Sequence, residues 1–449
     1  MKSRSIYGRS AALRSQQPSS GKGVMRRAIV VIAASLLAIS GSQLVVSAQV
    51  GAAGSSQSGT GVTSNTIKVG ITYPDLASIR NIVNVNPGNY VVAYNTVINH
   101  INAQGGINGR RIVPVFAAVD PLGTAGAATA CTHLTEDDAV FAVVGFFQAA
   151  DTNCYVSTHD TPIIGASLTA QQAASAKAPW YNYFISDSDL IPKEMAYFKQ
   201  QGVFKGHKIG VTAETVNQDE LNLVVSELKK LKVPVVQTAV NTAPATDTAA
   251  LASEDGIIAQ RFKASGVTEV VAVGNAGNDW PRSEQNNQST YLPRLVVPDY
   301  TYLDAYVTNA SGHSNAILKG AITAGGIPPV RVTWDDPAMK TCIAKIQANE
   351  PNAPINNPVT ATSSTPVTWT APELACSQMA LFQDIVKAAG RTLNNQTFQR
   401  GARTLTHVTI PGGGGTFDFS AGHNDGNGPV FVFTWSPSAN NLVLKTTIG

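Results

Sequence analysis

Nine short apolar runs rich in Val and Ile alternate with helical patterns through most of this chain: 67–73, 111–117, 140–147, 162–166, 208–212, 233–239, 269–274, 294–297 and 321–324. They are continuous rather than alternating, as strands are when both faces of their sheet are covered. Helical periodicity fills the gaps at 89–104, 124–135, 190–201, 220–231 and 257–265. Strand and helix in turn predict a parallel α/β architecture. The rhythm occurs in two blocks, about 65–185 and 186–320, and 449 residues exceed what one compact core accommodates. Two doubly wound lobes are therefore expected. Three more helical patterns follow (337–348, 373–389, 396–405), then a glycine run at 412–415 and two short strands of antiparallel character, 430–435 and 442–446.

The stretch INAQGGINGRRIVPV (101–115) shows the local grammar. Val91, Tyr94, Ile98 and Ile101 recur at helical spacing, with Asn89 at the N-cap position. Gly105 and Gly106 stop the helix, Asn108-Gly109 makes a tight turn, and Arg111 opens the next strand.

The formal charge of +3 is misleading, because seven of the 32 basic residues lie in the first 27 positions and no acid precedes Asp75. The remaining 25 basic and 29 acidic residues give −4, with no basic stripe of the kind nucleic acid requires. Arg26-Arg27, an apolar run over 28–39 and Val46-Ser47-Ala48 have the layout of a cleaved export signal. The apolar run is shorter than the roughly 20 residues of a membrane span, so a retained anchor is the lesser reading. Cleavage is expected before Gln49, whether translation starts at Met1 or Met25. No Cys near the junction offers a lipid attachment point, and 49–64 reads as a flexible leader. Cys131, Cys154, Cys342 and Cys376 form two sequence-local pairs, which fits two disulfides in an exported protein. Four buried thiols are the plainer reading. Neither pair has metal-ligand spacing.

The order of these pieces resembles the type I periplasmic solute-binding proteins of ABC importers, the leucine/isoleucine/valine-binding family. The carriers are IKVGITYPDL (67–76), YNTVINHINAQGGINGRRI (94–112), DDAVFAVVGFF (137–147), TPIIGASLT (161–169) and LACSQMALFQDIVKAAGR (374–391). The resemblance implies an α/β fold of two Rossmann-like lobes joined by three crossovers, near Ser186, near Gly320 and within 410–428. Lobe 1 would comprise 65–185 and a returning part, 321–410. Lobe 2 would comprise 186–320, with 411–449 holding the third crossover and its final strands. Helix placement in that frame favours 131–154 and 342–376 among the three possible disulfide connectivities.

Open parallel sheets bind ligands beyond the carboxyl ends of their strands. Those ends carry Tyr73, Gln148, Ala149, Ser167, Leu168 and Thr169 in lobe 1, and Asn275, Asp299 and Tyr300 in lobe 2. By resemblance, Thr169 and backbone N–H groups would hold a ligand carboxylate and Asp299 a ligand ammonium. A helix cap is the competing reading for Thr169, and a turn residue for Asp299. Tyr73 and Trp280 read first as packing. Relatives carry a Ser after the VVG strand where this chain has Gln148-Ala149-Ala150, which puts an α-amino acid ligand in question.

No Gly-x-Ser-x-Gly, His-Glu-x-x-His or Walker A pattern occurs, and seven His residues are scattered without ligand spacing. No catalytic residue, cofactor or metal is therefore expected. The resulting expectation is an exported, monomeric binding protein with two partners, a small polar ligand and an importer permease. A sensory ectodomain of the same fold and an extracellular α/β enzyme are the alternatives.

Overall fold

The computed structural model describes residues 58–76, 86–120, 124–148, 151–244, 247–309, 312–360 and 367–449. The expected signal at 1–48, residues 49–57 of the expected leader, and Ala149 lie outside them. The first lobe contains β1 (Thr66–Pro74), α1 (Tyr90–Ala103), β2 (Arg111–Val119), α2 (Thr124–Thr132), β3 (Ala142–Gly145), β4 (Ile163–Ile164), α3 (Ala170–Ser175) and β5 (Trp180–Tyr181). The chain then forms α4 (Asp187–Gln200), β6 (Ile209–Glu214), α5 (Gln218–Lys230), β7 (Val235–Asn241), α6 (Thr248–Ala264), β8 (Glu269–Val273), α7 (Ala276–Asn286), β9 (Arg294–Pro298), α8 (Tyr300–Val307) and β10 (Ile322–Gly325). It returns through α9 (Val330–Asp335), α10 (Pro337–Asn349), α11 (Thr370–Ala389) and α12 (Asn395–Arg403). Two small strands, β11 (Val408–Thr409) and β12 (Thr416–Phe417), precede the terminal hairpin of β13 (Val430–Ser436) and β14 (Asn441–Ile448).

The first sheet runs β2-β1-β3-β4-β5, all parallel. The second runs β14-β13-β10-β9-β8-β6-β7, parallel from β7 to β10 and antiparallel at β13 and β14. Numbered from its own first strand, each parallel part has the order 2-1-3-4-5, so the winding reverses between β1 and β3 and again between β6 and β8. Those are the switch points where such sheets take ligands.

The INAQGGINGRRIVPV unit has its expected form. The Asn89 side chain accepts from the Val92 N–H at 3.2 Å, capping α1. Gly106, at φ +72°, lies so close to the Arg110 carbonyl that a Cβ would stand 1.9 Å from that oxygen. Asn108 donates to the carbonyls of Val386 (2.8 Å) and Gly390 (3.0 Å), tying the turn to the end of α11. Met339, Ile343, Phe382, Ile385 and Phe398 share one core with β1 and α1, so the returning helices complete the first lobe.

Two expected boundaries need correction. Residues 58–64 are not flexible leader: Gly59 donates to Leu393 O at 2.7 Å, Gly61 accepts from the Lys68 N–H at 2.8 Å, and Val62 bridges Ile67. The second crossover follows Gly325 rather than Gly320, because β10 pairs with β9 and β13 in the second sheet. The crossovers run side by side. Asn182 N–H donates to Asn424 O (2.9 Å), Ser186 N–H to Asp425 Oδ2 (2.6 Å), and a Cβ on Gly326 would meet Ile185 at 2.1 Å. Both disulfides join the expected partners: Cys131–Cys154 bridges α2 to the helical turn after β3, and Cys342–Cys376 bridges α10 to α11.

Candidate functional site

Only residues 182–186 separate the carboxyl end of β5 from the start of α4. At about 3.3–3.6 Å per residue, that tether holds the carboxyl edges of the two sheets within roughly 20 Å of each other. On the second sheet, a pocket of about 30 Å³ opens among Asp187, Ile191, Glu220, Gly274, Asp299 and Tyr302.

Asp299 follows β9 in a left-handed conformation (φ +67°) and caps α8. Its Oδ1 accepts from the Thr301 N–H at 3.0 Å and from Thr301 Oγ1 at 2.7 Å, leaving Oδ2 without a hydrogen bond among the described residues. The turn reading of Asp299 is thus realised, and the residue also lines the pocket. Asn275 sits at the second switch point, where its N–H donates to Asn217 Oδ1 (3.1 Å) and its side chain to Glu214 Oε2 (3.3 Å). Tyr300 instead stacks on Phe433 with ring centroids 4.4 Å apart, and Tyr302 takes the place at the pocket.

The lobe 1 residues are more committed. Gln148 donates to Asp120 O at 2.5 Å, and Ser167 accepts from Asn182 Nδ2 at 3.1 Å. Thr169 forms a capping box with Gln172 at the start of α3, so the capping reading is realised, though the residue stays exposed. Leu168 is buried, and Tyr73 packs between Tyr90 and Phe116. Trp280 is buried against Phe262 in the second lobe.

Four acids not anticipated as site residues gather here. Asp187, Leu190, Ile191 and Glu194 follow the i, i+3, i+4, i+7 spacing of one face of α4, and the first three line the pocket. Glu194 is fully buried; the Asp299 N–H approaches it, yet neither carboxylate oxygen has a well-formed hydrogen bond among the described residues. Burial first, then the charges of Asp299 and Asp187, hold its carboxyl well above the usual range. Asp187 stands at the exposed rim, yet its crowded surroundings and the Glu220 and Asp299 charges push it up to about 6. Glu220 and Asp299 are raised as well, both chiefly by desolvation. Glu214, at the end of β6, is pushed up to about 7 by burial and by the neighbouring Asp279.

These shifts have a definite sign in stability. A carboxyl raised in the fold keeps a proton that the unfolded chain has released, so stability falls as pH rises from the unfolded value toward the folded one. Glu214, Glu269 and Glu373 are each pushed up to about 7, mainly by desolvation. The ligand-free protein should therefore melt several degrees higher at pH 5 than at pH 7.5. Calorimetry across that window would reveal it, and a flat or rising melting point would mean these groups ionise at no cost.

A family model described as periplasmic binding protein matches residues 66–441. No curated protein matches the chain in sequence. Among solved structures, the chain is similar to an ABC transporter substrate-binding protein from Desulfitobacterium hafniense in complex with Leu (13% identity, 85% of this chain and 100% of that one covered, TM-score 0.56). It is also similar to a solute-binding protein from Rhodopseudomonas palustris in complex with p-hydroxybenzoic acid (14% identity, 86% and 97% covered, TM-score 0.56). A third is a fatty acid ABC transporter substrate-binding protein from Thermomonospora curvata (13% identity, 87% and 93% covered, TM-score 0.54). At such identities these neighbours share the fold alone. With the model spanning most of the chain and the two-lobed topology in agreement, the chain belongs to the periplasmic binding protein family.

Proposed function

We propose that the protein is an exported solute-binding protein, which captures a small polar molecule between its lobes and delivers it to an ABC importer. The observation that carries this reading is the pairing of two 2-1-3-4-5 sheets whose carboxyl edges are held together by adjacent crossovers, with a polar pocket at one of them. Closure of the lobes would desolvate the ligand and create the surface that a permease reads. Asp299 is assigned the donor end of the ligand. Thr169, Gln148 and the N–H groups at the start of α3 are assigned its acceptor end. Because Gln148, Ser167 and Thr169 already hold protein partners, lobe 1 recognition rests chiefly on backbone N–H groups and on the hydrogen that the Thr169 hydroxyl can still donate.

The named ligands of the structural neighbours (an amino acid, an aromatic acid, a fatty acid) differ too widely to transfer. A thermal-shift screen of amino acids, amides, aromatic acids, amines and polyols tests the reading, since a ligand bound only by the folded state raises the melting point. Hits should also reduce the radius of gyration in small-angle scattering. A ligand that raised the melting point without compaction, or a compound that was turned over, would defeat the capture mechanism.

A further inference from the structure

The cleft-facing edge of the second lobe has two acidic nodes, and a chain of amides joins them. Asp187, Glu220 and Asp299 line the pocket of the first node, with Glu194 on the same face of α4 beneath it. Glu214 and Asp279 form the second node, at the switch point between β6 and β8. Asn217 donates to Glu220 Oε2 at 2.6 Å and accepts from the Asn275 N–H, while the Asn275 side chain donates to Glu214 Oε2. Gly274 allows this crossing, since a Cβ there would stand 2.1 Å from Asn217 Cγ.

The charge on this face is unbalanced. Among the described residues, none of these six acids has a salt bridge to Lys or Arg. Arg282 reaches only Asn278, which in turn donates to Asp279, and Lys193 turns to the carbonyls of Asn427 and Gly428. Two carboxylates are buried with oxygens that lack a well-formed hydrogen bond among the described residues: Glu194, 0% exposed, at both oxygens, and Glu214, 4% exposed, at Oε1. A buried, unpaired carboxylate is costly unless a cation compensates it. The acids are also too dispersed for one metal ion. Among the described residues, the groups of three or more ligand atoms close enough to share an ion lie elsewhere, at Cys131–Cys154–His159, whose sulfurs form a disulfide, and at Asp189–His423–Asp425. A dispersed set of acids suits an extended organic cation.

We propose that this face binds a ligand with two ammonium groups, one seated over Asp187, Glu220 and Asp299 and the other at the Glu214–Asp279 pair, so that the solute is a diamine or longer polyamine. The inference rests on the capture reading and gives it a substrate class. The first ammonium answers the charge at the pocket. The second displaces the proton that burial favours on Glu214 in the empty site. Leucine brings one ammonium, and p-hydroxybenzoate and fatty acids bring none, so each would leave at least one node uncompensated.

Titration calorimetry on the full secreted protein at pH 7.5 tests this with α,ω-diamines of three to six carbons, n-alkylamines of matching length, leucine, 4-hydroxybenzoate and calcium chloride. At least one diamine should bind about 100-fold tighter than its monoamine, the range expected when a close charge pair is gained. Its apparent enthalpy should vary with buffer ionisation heat, reporting proton release. Glu214→Gln should reduce diamine affinity to the monoamine level without changing monoamine affinity, and its ligand-free melting point should not fall. Glu220→Gln, a second isosteric change, should weaken both amines. Equal affinity for diamine and monoamine would overturn the proposal. Leucine or 4-hydroxybenzoate binding without any amine would overturn it too, while leaving capture intact. Calcium binding lost in Glu220→Gln, with no amine bound, would replace it with an inorganic cation site.

Discussion

Reducing both disulfides should lower the unfolding free energy by roughly 6–8 kcal/mol, a large share of what a folded chain holds. Cys131–Cys154 spans 23 residues and Cys342–Cys376 spans 34, and loops of that size restrict the unfolded chain by about 3–4 kcal/mol each. The second bond has more at stake. It clamps α10 to α11, two helices of the first-lobe core that are joined by a long connection. Cys376 is buried in the first-lobe core, so the double replacement Cys342→Ser/Cys376→Ser also places a hydroxyl among apolar neighbours. Urea unfolding followed by circular dichroism, with and without reductant, measures the effect. An unchanged midpoint under full reduction would mean the bonds constrain nothing. Such dependence would also favour an oxidising compartment and hence export.

The architecture was legible where local and global signals agree. Continuous β-branched runs gave away the buried parallel strands, and Asn89, Gly105, Gly106 and Asn108 marked one helix start, one stop and one turn. Legibility failed where tertiary context dominates. The two-residue strand Trp180–Tyr181 has no period to read and exists because β4 supplies its partners. The helix Ala276–Asn286 carries an interior Pro281 and a mostly polar sequence, and it is anchored through Trp280 in the core. The boundary error at Gly320 has the same origin. Residues 322–325 look like the opening of a new block, and only pairing with β9 and β13 assigns them to the second sheet.

The site was legible in part. Asp299 and Asn275 follow strands directly, so the rule of carboxyl edges finds them. Asp187, Glu194 and Glu220 lie on helices, where an acid ordinarily marks a solvated face. Their gathering appears only when the turn after β9 brings Asp299 against α4. Glu214 closes the strand IGVTAE and is buried by its neighbours rather than by its type. Tyr300 and Tyr302 differ by two helical positions, and the left-handed turn at Asp299 sets which of them faces the pocket. On lobe 1, hydroxyl and amide groups were legible as residue types. The cap that Thr169 makes was among those readings, whereas the engagement of Gln148 with Asp120 and of Ser167 with Asn182 was not.

Replacing Asp299 with Asn should weaken ligand binding by about a hundredfold or more while leaving the ligand-free protein at least as stable. Ala would confuse the two roles, because it removes the cap of α8 and places a Cβ-bearing residue without a compensating hydrogen bond at φ +67°. Asn retains an Oδ1 for the Thr301 N–H, caps helices as well as Asp, and tolerates the left-handed region. What it removes is the charge. In the empty pocket that charge is desolvated and faces Asp187 and Glu220, so its loss relieves repulsion. Against this stands a favourable helix-terminus interaction of about 0.3–1 kcal/mol, which the relief offsets. With ligand bound the balance reverses, since losing one partner of a buried charge pair costs about 2–5 kcal/mol. Differential scanning calorimetry without ligand, beside titration calorimetry with the hits of the screen, separates the two. If Asp299→Asn lowered the ligand-free melting point and left affinity intact, Asp299 would serve the turn alone. Recognition of the donor end would then pass to Asp187 and Glu220.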